Sequence, residues 1–536
     1  MATQISTRSK LLILTAVMAS LLEIIDTSIV NVAIPTMMGN LGATLDEISW
    51  VITGYIIANA IVLPIASWMS EQLGRKFYYT GCIILFTVAS VACGLAPNLP
   101  ILVLFRVVQG FAGGALLPTS QSIIYEAFPK EKAGMASAIY GMSVMIGPTV
   151  GPTLGGYLTD TLGWRSIFNV NLPIGIVVAI LSYILVEDVG FDPAAKKEAP
   201  VPGAVKHKRE RTPVDVWGLL FLIVGVGSLQ FVLERGNAED WFSSKIIIAT
   251  TFSAIASITL LIWWELRTKH PILVLKHFLN PTFRSGVMLM AGLGAMLYGI
   301  IFMIPVFSNI VLGLTATQTG ELFIPGALLA ATMMPLIGMQ LRKRDPRLLI
   351  GIGVIGLSMA IVLISGFNSQ TSADGMFWPL LLRGAAMSFL FVPINTVVLM
   401  QFSGVAVGEA AGMMNLCRQL GGSIFIAVLS TLLARYQNSN YVVLKTYVSL
   451  LSPAAQTANH ALMGVMHYRM DLHTGMGTTA AAAAKALYFR VKKESFILAY
   501  RHVMLVGVTC FSFCLIPLML MKPKKLAITG DLPSGH

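Results

Sequence analysis

The chain of 536 residues is 55% hydrophobic and only 12% charged, with a mean hydropathy of +0.76. Soluble domains carry about 25% charged residues, so this composition excludes an ordinary soluble protein and predicts one that lies in a lipid bilayer. A net charge of +12 would suggest nucleic acid in a soluble protein. Here the cations fall in alternate loops between apolar runs, so no nucleic-acid partner is expected. The five cysteines lie in apolar runs without metal-ligand spacing, and neither a disulfide framework nor a metal site is predicted.

Fourteen apolar runs are long enough to cross a bilayer as helices, which need about 20 residues each. The runs lie at 11–36, 49–69, 78–96, 99–122, 135–158, 167–186, 214–234, 245–265, 284–308, 318–340, 347–367, 376–401, 409–433 and 498–521. The first run contains charged residues and lacks a cleavage site, so it is interpreted as an uncleaved helix. The sequence therefore predicts an all-α integral membrane protein with 14 transmembrane helices, called spans 1 to 14 in chain order.

Lysine and arginine cluster in the even-numbered connections between these spans, and the short odd-numbered loops carry almost none. Arg75 and Lys76 follow span 2, and Lys130 follows span 4, whereas the connection at 307–317 after span 9 carries neither residue type. Cytoplasmic loops of membrane proteins are enriched in these cations. The pattern therefore predicts that both ends of the chain are cytoplasmic.

The two halves of the chain resemble each other at positions eight spans apart. Ala133-Gly134-Met135 opens span 5 and Ala411-Gly412-Met413 opens span 13, while Arg106 in span 4 corresponds to Arg383 in span 12. Many transporters are built from two such repeats, which predicts two six-helix bundles with spans 7 and 8 inserted between them. The predicted divisions are an N-terminal bundle at 1–186, a cytoplasmic linker at 187–213, the inserted spans at 214–265 and a C-terminal bundle at 266–536.

One long connection, residues 434–497, is predicted to lie on the outer side of the membrane. Its Ala-rich stretch from Thr478 to Lys493 favours a helix. We predict a helical hairpin outside the membrane, with an unstructured loop as the alternative.

Two carboxylates, Glu23 and Asp26, lie inside the first apolar run. A charged side chain at bilayer depth costs several kcal/mol at least, on the order of 3 kcal/mol, and by default marks a functional site. Residues three apart on a helix share one face. The pair is therefore predicted to line a polar cavity and to take up and release protons, with Asp26 as the principal site and Glu23 as an accessory carboxylate.

Depth along the helices pairs Asp26 with an arginine. At a rise of 1.5 Å per residue, Asp26 lies about 22 Å along span 1, and Arg106 about 10 Å below the outer surface in span 4, which places both at a similar depth. We expect Arg106 to stabilise the ionised Asp26, so that proton affinity changes with conformation. The alternative is a fixed ion pair that only locks spans 1 and 4 together.

A cavity between the two bundles is the expected place for a substrate. Arg383 and Arg418 lie within apolar spans of the second half, where each either contacts substrate or is neutralised by backbone carbonyls and Asn415. The residues predicted to line the cavity are Asn31, Gln109, Tyr298, Arg383, Asn415 and Arg418.

Several motifs follow one another in a fixed order along nearly the whole chain. They are Asp26-Thr-Ser-Ile-Val-Asn31-Val-Ala-Ile-Pro35, Arg106-x-x-Gln109-Gly110, Gly147-Pro148-Thr-Val-Gly151-Pro152-Thr-Leu-Gly155-Gly156, Trp164-Arg165 with Phe168-Asn-Val-Asn171-x-Pro173-Ile-Gly175, and Leu233-Glu-Arg-Gly236 with Asp240-Trp241-Phe242-Ser243-Ser244. In this order they resemble the 14-span drug:proton antiporter branch of the major facilitator superfamily, and in particular its EmrB-like multidrug exporters.

The resemblance implies roles for two conformational motifs. The loop after span 2, with Glu71, Gly74, Arg75 and Lys76, resembles the superfamily's gating motif, although Ser67 and Glu71 replace the usual Gly and Asp and so alter its ion pair. In span 5 the resemblance implies a seam that seals antiporters against leak, and ordinary small-residue packing is the alternative. The residues of this seam are Gly147, Pro148, Gly151, Pro152, Gly155 and Gly156.

The resemblance also implies a function. A proton-coupled antiporter of the major facilitator fold would export drugs and other lipophilic or amphiphilic toxic compounds, using the proton gradient and no cofactor. The segment 434–497 implies a periplasmic membrane-fusion adaptor and an outer-membrane channel, hence the inner membrane of a Gram-negative cell. A same-fold exporter of one native metabolite, such as a siderophore or a fatty acid, is the alternative. A membrane-embedded enzyme is not expected, because no His, Asp or Glu cluster lies at one interface, and a channel would not need Asp26 and the repeat.

Overall fold

The computed structural model describes residues 6–188, 214–269, 271–447, 456–457, 461–462 and 476–521. Within these residues every regular element is a helix and no strand is present. Helices are expected because a backbone inside lipid must satisfy its hydrogen bonds within its own segment. Fourteen of the described helices are long and apolar enough to cross a membrane, which confirms the predicted number of spans.

The spans of the first half are continuous or broken once. Spans 1 to 8 are Thr7–Leu41, Leu45–Leu73, Arg75–Leu95, Leu99–Ala127, Lys130–Leu162, Ser166–Leu185, Val216–Arg235 and Lys245–Glu265. Span 4 consists of two helices, Leu99–Gly113 and Leu116–Ala127, and the break follows two consecutive glycines, which hold a helix weakly. Span 5 contains the single helix Ala133–Leu162.

The spans of the second half include the two longest helices. Spans 9 to 14 are Pro281–Leu312, Thr317–Gln340, Pro346–Ser365, Ala373–Leu399, Val405–Tyr447 and Ala483–Leu520. Span 9 ends in a π-helical turn at Ser308–Leu312. Span 14 belongs to a helix that begins at Met476 and ends at Ser512, followed by a short helix at Leu515–Leu520.

Spans 13 and 14 extend beyond the predicted apolar runs. The helix of span 13 continues to Tyr447, although its apolar run ends at 433, and the helix of span 14 begins at Met476, although its run begins at 498. Apolar composition marks the part of a helix that contacts lipid, whereas helix propensity carries the helix past the membrane surface. The helix predicted over Thr478–Lys493 is thereby confirmed. Most of the residues between the two helices, and the linker from residue 189 onward, lie outside the described residues.

Contacts between spans follow the predicted repeat. Spans 1, 2, 3, 4 and 6 pack mainly on one another and on span 5, while spans 9 to 14 form a second connected set. Span 5 packs against span 1 on one side and span 10 on the other, so it lies at the boundary between the sets. The exact domain limits stay a prediction. Spans 1–6 are called the first bundle and spans 9–14 the second bundle.

The two bundles touch at the end of the molecule that carries the basic loops, called the basic end here. The backbones of Gly134 in span 5 and Gly338 in span 10 are so close that a Cβ on Gly338 would lie 2.5 Å from the Gly134 carbonyl oxygen. Ser67 Oγ donates to the Val405 carbonyl at 3.3 Å. The two bundles are therefore in direct contact at the basic end in this conformation.

Of the two inserted spans, span 7 contacts a helix of each bundle at the end opposite the basic end, and span 8 packs on span 7. Arg235 in span 7 donates to Asp46 Oδ1 at 2.7 Å and to Ser49 Oγ at 2.8 Å in the first bundle. The adjacent Glu234 accepts from Ser423 of span 13 at 3.2 Å. Neighbouring residues of one helix therefore hold both bundles.

Candidate functional site

Asp26 lies at the centre of a buried polar site in the first bundle. Its carboxylate is 0% exposed, and Oδ2 accepts from Arg106 Nη1 at 2.5 Å. Its other oxygen, Oδ1, accepts from Gln109 Nε2 at 2.9 Å and from Asn171 Nδ2 at 3.1 Å. One cation and two amides thus balance the carboxylate in a place that water does not reach, and charge-assisted hydrogen bonds of this kind are the strong ones.

Arg106 is itself fixed from several sides. Its Nε donates to the Val51 carbonyl at 3.1 Å and its Nη1 donates to Gln109 Oε1 at 2.8 Å. The guanidinium lies 4.1 Å from the centre of the Tyr55 ring, which favours a cation on its face. Spans 1, 2, 4 and 6 therefore all contribute to the site, and its geometry depends on how the four helices are placed.

A row of glycines in span 5 allows span 1 to pack closely beside this site. Gly147 and Gly151 lie directly against Ile24 and Ser28, and a Cβ on Gly155 would lie 2.8 Å from the Ile29 carbonyl oxygen. These contacts flank Asp26 on both sides along span 1. The four-residue spacing of the glycines keeps them on one face, so the two helices approach at backbone distance.

The rest of the span 5 motif faces the second bundle. Gly156 lies against Thr317 of span 10, and Pro152 lies close to Gly320 of the same span. Pro148 lines a small cavity between the bundles. The motif is therefore one helix with two working faces, of which one supports Asp26 and the other meets the second bundle.

Glu23 has a different setting from Asp26. It is 3% exposed, and Oε1 accepts from Asn59 Nδ2 at 3.0 Å. Arg418 of span 13, in the second bundle, is the cation with the strongest electrostatic effect on the Glu23 carboxylate. The two carboxylates predicted to share a role thus have different neighbours: Asp26 pairs with a cation of its own bundle, whereas Glu23 accepts a hydrogen bond from Asn59 and has no ion pair with a described residue.

A chain of neutral hydrogen bonds crosses between the bundles nearby. Tyr140 Oη donates to Asn415 Oδ1 at 3.1 Å, and Asn415 Nδ2 donates to Gln121 Oε1 at 2.8 Å. Gln121 Nε2 in turn donates to Asn395 Oδ1 at 2.8 Å. The sequence analysis singled out Asn415 but missed Gln121, although a glutamine inside an apolar span is a detectable signal.

The loop after span 2 forms an ion pair with a residue that the sequence analysis missed. Arg75 Nη1 lies 2.5 Å from Glu126 Oε2 at the end of span 4. Lys76 Nζ lies 4.3 Å from the centre of the Tyr183 ring, and Gly74 has the positive φ of 85° that favours glycine. Glu71 is exposed and lines a cavity of about 140 Å³ at the basic end, without an ion pair to any residue that the structure describes.

The residues predicted for a substrate cavity do not all lie together. Gln109 is buried beside Asp26, and Asn31 is exposed, where its Nδ2 donates to the Thr27 carbonyl at 3.4 Å. Tyr298 packs against Gly422 and lies within electrostatic range of Arg418. Arg383 lines a separate small cavity between spans 5, 9, 10 and 12. The described part of the chain contains no group of His, Cys, Asp and Glu that could hold a metal ion.

Comparison with known proteins identifies the family. The family model described as Major Facilitator Superfamily matches residues 16–426. The chain belongs to this superfamily of membrane transporters. It is 32% identical over 453 residues to "Multidrug export protein EmrB" of Escherichia coli K12, which covers 84% of this chain and 85% of EmrB. It is 31% identical to "Fatty acid resistance protein FarB" of Neisseria gonorrhoeae over 512 residues, which covers 94% of each chain.

Solved structures confirm the fold. The crystal structure of the human organic anion transporter MFSD10 (TETRAN) superposes with a TM-score of 0.60 at 12% identity, covering 96% of this chain and 100% of that one. The predicted major facilitator fold with 14 spans is therefore correct, and the resemblance to EmrB-like exporters is confirmed at the level of sequence similarity.

The Asp26–Arg106 pair predicts strongly non-additive stability effects. Asp26→Asn leaves the guanidinium without its counter-charge, and Arg106→Gln leaves the carboxylate without its cation. Breaking a buried pair in this way costs about 3–5 kcal/mol. The double variant should lose less than the sum of the two, because two neutral amides replace both charges. Thermal unfolding of the purified protein in detergent measures this. Strictly additive losses would mean that the two charges do not stabilise each other.

Proposed function

We propose that this protein is a proton-coupled antiporter that exports drugs and other small lipophilic or amphiphilic toxic compounds by alternating access. The observation that carries the proposal is the Asp26 carboxylate, which is fully buried, balanced by Arg106, and held by groups from spans 4 and 6. The similarity to multidrug export proteins over most of the chain supports the substrate class. No cofactor is needed, since the proton gradient supplies the energy.

Protonation of Asp26 would change the balance of forces in the first bundle. A neutral carboxyl no longer compensates the charge of Arg106. One of its two oxygens then carries the proton and acts as a donor, so the group can no longer accept all three of its present hydrogen bonds. The helices that supply Arg106, Gln109 and Asn171 would shift relative to span 1. Span 5 packs on both span 1 and span 10, so it is the element through which such a shift would reach the second bundle.

The contacts between the bundles are suited to repeated opening. The chain from Tyr140 through Asn415 and Gln121 to Asn395 contains only neutral groups, which water can hydrogen-bond when the bundles separate. When the basic end opens, these hydrogen bonds break without leaving a charged group unpaired. The charged pair of the mechanism, Asp26 and Arg106, lies inside one bundle, so separating the bundles does not break its ion pair.

We further propose that the protein lies in a bacterial inner membrane with both ends in the cytoplasm. The parts of the span 13 and span 14 helices beyond their apolar runs, called the outer helices, would bind a periplasmic membrane-fusion adaptor. An outer-membrane channel would complete this assembly. Val405–Tyr447 has 43 residues, or about 64 Å at 1.5 Å per residue, about twice the thickness of a bilayer core. Past the membrane part it meets the helix of span 14, where the Tyr441 and Tyr488 rings lie 5.9 Å apart. Val442, Val443 and Tyr447 are exposed there.

Placing charges on the exposed apolar residues of these helices tests the adaptor proposal. The variant with Val442→Asp, Val443→Asp and Tyr447→Asp should lose drug resistance in cells, because the adaptor no longer binds and export through the outer membrane fails. The same variant should still transport ethidium in proteoliposomes, where no adaptor is required. Loss of transport in proteoliposomes as well would assign these residues to transport itself, and unchanged resistance in cells would contradict the adaptor.

A same-fold exporter of one native metabolite is the second candidate. The similarity to FarB, a fatty acid resistance protein, over 94% of both chains favours it. A growth-protection screen across chemically diverse compounds separates the two candidates. Protection against several unrelated classes supports multidrug export, and protection against one class supports the dedicated exporter.

Asp26→Asn should abolish proton-driven transport. In proteoliposomes with an imposed pH gradient, ethidium accumulation should fall to the level of protein-free vesicles, because the amide cannot carry a proton. Glu23→Gln should reduce the rate less, in line with its accessory role. The matched control is Asp160→Asn, which changes an exposed carboxylate at the end of span 5. Gradient-driven transport retained by Asp26→Asn would contradict the coupling role.

A further inference from the structure

A small cavity lies where span 5 of the first bundle faces spans 9, 10 and 12 of the second. It has a volume of about 20 Å³, enough for one water-sized group. Its walls are mostly apolar, with Met145 and Pro148 on one side and Leu297, Phe323 and Met387 on the other. Because the walls belong to both bundles, any movement between the bundles changes the size of this cavity.

One cation, Arg383, lines this cavity without a partner. Its side chain is 8% exposed, and no residue that the structure describes gives it a hydrogen bond or an ion pair. Its nearest compensation is the Phe323 ring, whose centre lies 5.3 Å from the guanidinium carbon. By helical rise Arg383 lies about 15 Å from the Ala373 end of span 12, near the middle of the membrane.

The backbone holds the guanidinium at this position. Gly384, the next residue, lies directly against Gly326 of span 10, and a Cβ on Gly326 would lie 2.5 Å from the Leu380 carbonyl oxygen. Spans 10 and 12 therefore meet at backbone distance on both sides of Arg383. Close helix packing therefore fixes the backbone from which the Arg383 side chain reaches the cavity wall.

Arg418, the other buried arginine of the second bundle, is not in the same situation. Its Nε and Nη1 also have no hydrogen-bond partner among the described residues, but the carboxylate of Glu23 lies within electrostatic range of its guanidinium. Around Arg383 the lining offers no carboxylate, and the Thr149 hydroxyl already donates to the Met145 carbonyl at 3.3 Å. An unpaired guanidinium in an apolar site is costly unless something supplies a negative charge.

We propose that Arg383 binds the anionic head of a lipophilic anion, such as a carboxylate attached to an apolar body, in the cavity between spans 5, 9, 10 and 12. The inference rests on the proposed function and specifies one of its substrate classes. The guanidinium pairs with two carboxylate oxygens, and the Phe323 and methionine side chains contact the apolar body. In the present conformation the cavity holds no more than one water-sized group, and it admits the head group when it enlarges as the bundles separate.

Two probes with equal chains and opposite charges test the proposal. Decanoate and decyltrimethylammonium are added to the purified protein in detergent, and the rise in melting temperature with concentration gives an apparent Kd for each. Wild type should bind decanoate in preference to the cation. Arg383→Gln should raise the apparent Kd for decanoate about tenfold or more, because a charge-assisted hydrogen bond is lost. The weak response to decyltrimethylammonium should stay unchanged.

Two further variants control for charge and folding. Arg342→Gln removes an exposed cation at the basic end and should bind decanoate like wild type, which excludes an effect of overall charge. Arg383→Lys keeps the charge without the bidentate geometry and should fall between wild type and Arg383→Gln. It also serves if Arg383→Gln does not fold, in which case an unchanged decanoate Kd in the lysine variant contradicts the proposal.

Either of two results would overturn the anion site. One is equal stabilisation of wild type and Arg383→Gln by decanoate, and the other is no preference of wild type for decanoate over decyltrimethylammonium. Gradient-driven ethidium transport by wild type, measured in parallel, reports on the proposed function alone. Its absence, with decanoate binding intact, would contradict drug:proton antiport and leave the anion site in place.

Discussion

The ion pair between Asp26 and Arg106 is the interaction on which the first bundle depends. Neither charge is tolerated alone at this depth, so each requires the other, together with the amides that complete the hydrogen bonding. The consequence is structural as well as chemical. Spans 1, 2, 4 and 6 must meet at one point, and the glycine face of span 5 must let span 1 approach closely enough to reach it. A proton added to or removed from Asp26 therefore acts on the packing of the whole bundle.

The two bundles contribute different chemistry to the proposed cycle. The first bundle holds a charge pair that is complete within itself, while the second bundle presents two arginines, Arg383 and Arg418, toward the interface. Arg418 lies within electrostatic range of the Glu23 carboxylate across that interface, whereas the cavity around Arg383 is lined by no carboxylate. The proton site at Asp26 lies within the first bundle, whereas the unpaired Arg383 lies in the second bundle and faces the first. Proton and substrate therefore need not bind at the same place. Span 5 contacts both, which makes it the physical connection between them.

The sequence predicted those features that depend on one helix at a time. The number of spans follows from the length of apolar runs, and the pairing of Asp26 with Arg106 follows from helical rise, which fixes depth in the membrane. Asn171 and Glu126 were not assigned to sites, since their roles depend on which faces of spans 6 and 4 point inward. The scattering of the predicted cavity residues has the same origin: depth does not say whether Gln109 faces the interface or its own bundle. The apolar runs end at residue 433 and begin again at residue 498, although the helices extend further on both sides. Apolar composition marks only the part of a helix that contacts lipid, so it does not give the full length of these two helices.

Proton release on substrate binding tests the central claim most directly. Purified protein in weakly buffered detergent solution is mixed with ethidium, and a pH-sensitive dye follows the protons released, while ethidium fluorescence follows binding. If Asp26 is the proton-coupling carboxylate, wild type releases protons as ethidium binds, and Asp26→Asn binds ethidium without releasing them. Equal proton release from wild type and Asp26→Asn would contradict the account, because the exchanged proton would then belong to another group.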